Sequence, residues 1–446
     1  MKKNLSTKDI AKFQKSFSSD PRNRIAMNAV TQMGPADVAQ NREVISRIDH
    51  TYSHFIKTPE ATNQKHSGRC WLFAGLNMLR LEAMNKMNLE NFELSQSYLM
   101  FWDKLEKANY FLESIIDTFD EPLNGRLVMW LLESPVVDGG QWDMFVNLIN
   151  KYGVVPKTAM AESHPSSTSY PMNSLLVAKL REYAKVLRNM HKAKQSMEKI
   201  NKAKTNMMEE FYRILVINLG VPPNKFNWEW RDKDDTFHRK GEITPQEFYE
   251  EYIDRKLDDM VCLINAPTED KPYNKMYTVQ YLGNVVGGNI VRYLNVDIKT
   301  LKKAAMEMIK DEKAVWFGSD VSKAMERKLG LLDVDAFAYD LLLDTKFDLD
   351  KAERLDYGQS KMNHAMVLTA VDIDENDNPV KWRVENSWGT KTGDKGYYLM
   401  SDKWFDEYVY EVAVDKKYLG DKLNKIIDTK PINLPPWDPM GALASI

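Results

Sequence analysis

The sequence predicts an α+β protein, helical in its first part and β-rich in its last, folded as two lobes around a cleft. Three observations carry this. Before residue 311 apolar residues recur mostly at helical spacing; after it, short β-like runs bounded by Asp, Asn, Gly and Pro take over. The chain of 446 residues exceeds what one ordinary core holds, so two or three subdomains are expected. The stretch "SHPSSTSYPM" (163–172) has the Ser/Thr/Pro composition of a linker and marks a boundary there.

Taken in order, "MKKNLSTKDIAKFQKSF" has no apolar core behind its lysines. It reads as a polar amphipathic helix and not as a signal peptide. Residues 1–60 mix short polar helices and connectors, and "IDHTYSHFIKTPEATNQKHSG" (48–68) is an extended lead-in. In 70–87, Leu72, Leu76, Leu79, Leu81 and Met84 recur near the helical period. Residues 94–119 make one or two more helices. "PVVDGGQWDMFVNLINKYGVVP" (135–156) gives a glycine turn and a helix that stops at Gly153 and Pro156. Residues 174–310 are mostly helical and charged, apart from aromatic patches at Trp228 and Trp230 and a strand-like 285–296. The late β-runs are 314–321, 364–374, 380–388, 396–402 and 408–415.

Bulk properties exclude several classes. A net charge of −3 gives no global argument for a nucleic-acid or membrane partner. No apolar run reaches the about 18 residues of a membrane span. Two cysteines cannot build a disulfide framework, so a reducing, cytoplasmic location is expected.

The chemistry centres on "NQKHSGRCWLF", which places Cys70 at the start of a helix. A thiolate attacks carbonyls, and free N–H groups at a helix N-terminus favour the anion. The candidate base is His364, opening a β-run, and its orienting partner is Asn386 in "VENSWGT". The Gln64 side chain and the Cys70 backbone N–H are candidate oxyanion donors. No cofactor or metal is called for: the remaining histidines lack ligand spacing, and Cys262 reads as a buried structural thiol.

At these residues the chain resembles the papain-like cysteine peptidases. Their Cys-Gly-Ser/Ala-Cys-Trp/Tyr signature becomes Ser67-Gly68-Arg69-Cys70-Trp71 here. His364 comes about 150 residues later than the papain spacing, an excess that the segment 166–310 accounts for. "DGGQWDMF" resembles the Gly-Gly segment that pairs with bound peptide, and "PPWDPMGALASI" (435–446) resembles the tail of the bleomycin hydrolase and aminopeptidase C group. The resemblance implies a papain-like helical lobe (1–165), an inserted helical, oligomerising segment (166–310), a β-barrel-like lobe (311–425) and a C-terminal arm (426–446). It implies substrate contacts at Gly139, Gly140, Asn363, Trp388 and Ala444, and a homohexamer with inward-facing sites. The implied activity is removal of N-terminal residues from peptides, with bleomycin-hydrolase-type amide hydrolysis beside it. The resemblance also implies that the arm restricts cleavage to free N-termini. The family tail ends near Ala444, so Ser445 and Ile446 are expected to be trimmed.

Two rivals stand beside this reading. One is a Cys-His acyl transferase, although those use Asp as third member where this chain offers Asn386. The other is a peptidase-shaped nucleic-acid-binding protein. Its support is the basic stretch 178–204, whose stripe Leu180, Tyr183, Leu187, Met190, Met197 and Ile200 also fits a solvated face packed through apolar residues.

Overall fold

The structure is a computed structural model that describes residues 4–445. The N-terminal helix Thr7–Ser19 is capped reciprocally by Ser6 and Asp9 and buries none of its residues. Its apolar face, with Ile10, Phe13 and Phe17, is exposed.

The Cys70–Met87 helix carries the recurrent Leu72, Leu76, Leu79, Leu81 and Met84, but its burial is not limited to them. It is buried on nearly every face, all but Glu82, Asn85 and Lys86. A helix apolar all round belongs in the middle of a molecule, and this one is wedged between two layers. On one side Gly75 meets Phe145 so closely that an added Cβ would lie 2.6 Å from its ring. On the other, the Trp316 indole N–H donates to the Trp71 carbonyl at 3.2 Å.

The 94–119 segment forms one helix, Gln96–Asp117, with Ser95 as its N-cap. The Trp142–Tyr152 helix stops at Gly153, whose φ of 66° suits glycine and whose Cβ position is filled by the Pro245 carbonyl. The stretch 163–172 is not a linker. It is a short helix, His164–Ser167, followed by the start of the Tyr170–Lys192 helix with Pro171 in its first turn. Ser and Pro are loop formers, but they are also the preferred residues at helix starts. Ser166 and Ser169 are buried there.

The Tyr170–Lys192 and Met197–Leu219 helices pack against Gln96–Asp117. Leu180, Tyr183, Leu187 and Ile200 of the basic stretch are buried, Met190 is half-buried, and Met197 is exposed. Trp228 and Trp230 stack at 5.8 Å on a hairpin, Phe226–Arg231 with Phe237–Ile243.

The main sheet runs in the order Ile432–Leu434, Lys275–Val279, Tyr293–Asn295, Met260–Ile264, Val409–Asp415, Val315–Ser319, His364–Ile373, Pro379–Glu385, Tyr397–Ser401, Leu331–Leu332, Met325–Glu326. All five late β-runs are strands of it. So are four strands from before residue 311, the three just given and His54–Phe55, which pairs with His364–Ile373, and the segment 166–310 is therefore mixed helix and strand. Of the strand-like 285–296 only Tyr293–Asn295 pairs, because the chain turns at Gly287 with φ 79°. The Ile298–Lys310 helix packs on the sheet strands His364–Ile373 and Val409–Asp415. The result is α+β, with the Cys70 helix lying on the strand that begins with His364.

Candidate active site

Cys70 is the first residue of its helix, and the preceding Arg69 provides no side-chain cap. The first-turn N–H groups are therefore left for another acceptor. The backbone N–H groups of Ala365, Trp71 and Cys70 itself face the sulfur and favour its anion. The residue is only 1% exposed, however, and burial pushes the thiol up to about 11 against those donors. The helix start alone thus does not lower the thiol.

His364 and Asn386 meet because their strands run antiparallel, with Val367 opposite Glu385. One strand begins where the other ends. His364 Nε2 lies 2.9 Å from Asn386 Oδ1. An amide oxygen only accepts, so Nε2 carries the proton and Nδ1 keeps the basic lone pair. The Trp388 ring covers the imidazole at 4.8 Å, and the Arg327 guanidinium sits 4.6 Å from the Trp388 ring centre on. Burial pushes His364 down to about 4, with Asn386 opposing and Arg327 adding to the fall. Each group alone therefore resists ionisation. A proton passing from sulfur to imidazole creates both charges at once, and each then stabilises the other.

Gln64 is locked in place. Its Oε1 accepts from Ser387 Oγ at 2.6 Å and its Nε2 donates to the Ser67 carbonyl at 2.5 Å. A primary amide has two N–H donors, so one remains for a developing oxyanion.

Gly140 lies against the Trp71 indole, where a Cβ would come within 2.5 Å. Lys107 donates to the Gly139 carbonyl at 2.5 Å. The Asn363 side chain is committed to the turn beside it: Nδ2 donates to Asp320 at 2.6 Å and Oδ1 accepts from the Val321 N–H at 3.0 Å. Its backbone carbonyl is what is left for a ligand.

The arm is anchored at several points. Arg126 stacks on Trp437 at 3.6 Å, and Asp438 pairs with Lys271 at 3.2 Å. The Met440 carbonyl accepts from Gln141 Nε2 at 3.2 Å and from the Tyr293 hydroxyl at 3.1 Å. Met440 and Leu443 are fully buried. Ala444 and Ser445 border a cavity of about 600 Å³ that Lys107, Val136 and Lys361 also line. Ile446, one of the two residues expected to be trimmed, lies outside the described residues.

Sequence reasoning did not single out Asp138, Lys104 or the Arg69–Glu162 ion pair, which closes at 2.9 Å behind the Cys70 loop. The available signal was the acidic residue just before Gly139 and Gly140.

The chain matches the Peptidase C1-like family over residues 4–441 and belongs to it. Fold and site together are those of a papain-like cysteine peptidase. Within that class it is 46% identical over 449 residues to the bleomycin hydrolase of Gallus gallus, with 99% of each chain covered. It is 44% identical over 447 residues to aminopeptidase C of Lactobacillus delbrueckii subsp. lactis, covering 100% of this chain and 99% of the relative. The crystal structure of PepW from Lactobacillus rhamnosis aligns with a TM-score of 0.97 at 47% identity, with 99% of each chain covered.

Proposed function

We propose that this chain is a cysteine aminopeptidase that releases N-terminal residues from peptides with a free α-amino group. The observation that carries it is the hydrogen bond from His364 to Asn386 at the start of the strand on which the Cys70 helix packs. His364 Nδ1 takes the Cys70 proton as sulfur attacks the scissile carbonyl. The Cys70 N–H and Gln64 Nε2 receive the negative oxygen of the tetrahedral intermediate. The imidazolium then returns its proton to the leaving amine, and water, deprotonated by His364, hydrolyses the thioester.

Substrate contact is assigned to Gly139, Gly140, the Asn363 carbonyl, Trp388 and Ala444, with the arm blocking longer N-terminal extensions. The names of the relatives extend the proposal to bleomycin-type amides. They lend no support to acyl transfer or to nucleic-acid binding as the primary role. A homohexamer in the cytoplasm completes the reading, since closed symmetric assembly is a simple way to cage an open peptidase cleft. Turnover of aminoacyl-coumarins, with and without N-terminal blocking, tests the activity. Equal cleavage of blocked substrates would remove the aminopeptidase assignment, and light scattering that returned a 51.7 kDa monomer would remove the hexamer.

A further inference from the structure

Asp138 precedes Gly139 and Gly140 and is 5% exposed. Its carboxylate collects donors from three separate parts of the chain. The Gly68 N–H reaches Oδ2 at 2.9 Å, and the Ser169 hydroxyl donates to the same oxygen. Asn173 Nδ2 reaches Oδ1 at 2.8 Å, and Lys104 closes an ion pair there at 2.7 Å. Its backbone carbonyl accepts from the Trp71 indole at 2.7 Å. One residue thus grips the loop before Cys70 and the side chain after it, and it leads directly into the Gly-Gly edge.

The charged surroundings are few. Lys104 is fully buried on the Gln96–Asp117 helix, which also carries Asp103 and Lys107, paired with each other at 2.6 Å. The loop contributes the Arg69–Glu162 pair. The start of the Tyr170–Lys192 helix offers only the neutral Ser169 and Asn173. Burial would raise the Asp138 carboxyl, but Lys104 and the neutral donors outweigh it and hold it well below the ordinary carboxylate range. Asp138 therefore carries its negative charge on a residue that bonds both Gly68 and Trp71, on either side of Cys70.

We propose that Asp138 is a positioning residue for the Cys70 loop whose fixed charge also sets the pH range over which Cys70 and His364 exchange their proton. The inference rests on the reading of Cys70 as nucleophile. A negative charge here opposes the thiolate and favours the imidazolium, so its removal moves both ionisations to lower pH. A role confined to folding would change the height of the pH profile and leave its limbs in place.

The test uses full-length Asp138→Asn, Asp138→Glu and Lys104→Met. The readouts are kcat/KM against pH and the rate of Cys70 alkylation by iodoacetamide against pH. Asp138→Asn keeps an acceptor for Gly68 and loses the charge, so both limbs should shift to lower pH by about half a unit or more. Asp138→Glu keeps the charge but misplaces the loop, so the profile should fall in height with its limbs unmoved. Lys104→Met removes the neutralising cation while Gly68, Ser169 and Asn173 still donate to the carboxylate and keep it ionised, so the limbs should move to higher pH, which decides the matter if Asp138→Asn does not fold. Limbs unmoved in either Asp138→Asn or Lys104→Met overturn the proposal. Alkylation reads the Cys70 thiolate directly, so it tests Asp138 independently of turnover. A failure of the nucleophile reading would show separately, as turnover surviving Cys70→Ala.

Discussion

Arg80 and Glu385 form an ion pair of 2.5 Å in which both side chains are at most 2% exposed. Arg80 lies on the helix that starts with Cys70, and Glu385 immediately precedes Asn386. The pair joins the two elements that must stay in register for sulfur and imidazole to meet. Burial raises the Glu385 carboxyl and Arg80 opposes the rise. Removing one partner leaves the other charge buried and unmatched. Glu385→Gln and Arg80→Met should each cost about 3–5 kcal/mol in urea unfolding, and the double replacement by Met should cost less than either single change. Additive costs would count against the pair as the link.

Replacing the proposed nucleophile should separate activity from folding. Cys70→Ala puts a good helix former at the first helical position, so the melting temperature should barely move. Turnover should fall by several orders of magnitude. Cys70→Ser should be nearly as inactive, because a hydroxyl ionises far less readily than a thiol. More than about a hundredth of wild-type turnover in Cys70→Ala would reject the assignment.

The supporting groups should rank by what they do. His364→Ala removes the base, whereas Asn386→Ala only frees its orientation and should lower kcat less. Gln64→Ala should lower kcat by about 10²–10³ through loss of one oxyanion donor. Unchanged kcat with a raised KM would make Gln64 a binding residue instead.

Glu411 is fully buried on the strand next to Val315–Ser319, and burial pushes its carboxyl up to about 8. Asp143, half-buried, is pushed up to about 7 by the desolvation of its carboxyl. Both hold protons in the folded chain that the unfolded chain releases nearer 4.5 and 3.8. The folded state therefore binds more protons across that window, and stability falls as pH rises from about 4 to about 8. Glu411→Gln should remove its share, so its melting temperature should decline less over that range than that of wild type. Parallel curves would show that Glu411 is not the titrating group.

The arm should act as a selector. Deletion from Met440 onward should weaken cleavage of free-amino dipeptide substrates and admit N-blocked or internal bonds. If the shortened enzyme still cleaves only free-amino substrates at an unchanged rate, specificity lies in the cleft walls. Intact mass should show Ser445 and Ile446 lost in wild type and kept in Cys70→Ala.

Much of this architecture is legible in the sequence. The late β-runs pair as strands within a few residues of their expected bounds, because Asp, Asn and Gly punctuate them. Cys70 at a helix start and His364 at a strand start are local facts that a motif can carry. Other features are not local. The residues around Asp138 come from three separated segments, so no spacing reveals them. The raised Cys70 thiol depends on how completely the site is buried, which a helix-start argument leaves out. At 163–172 composition misleads, because Ser and Pro mark loops and helix starts alike.

Because Met440 and Leu443 belong to the same chain as the groove that buries them, the arm is a tethered ligand. A short tether gives effective concentrations on the order of millimolar. Any peptide that would lie where they lie must outcompete that standing occupant, however well its own side chains fit. A free peptide with the arm's sequence should therefore inhibit wild type poorly and an arm-deleted enzyme well.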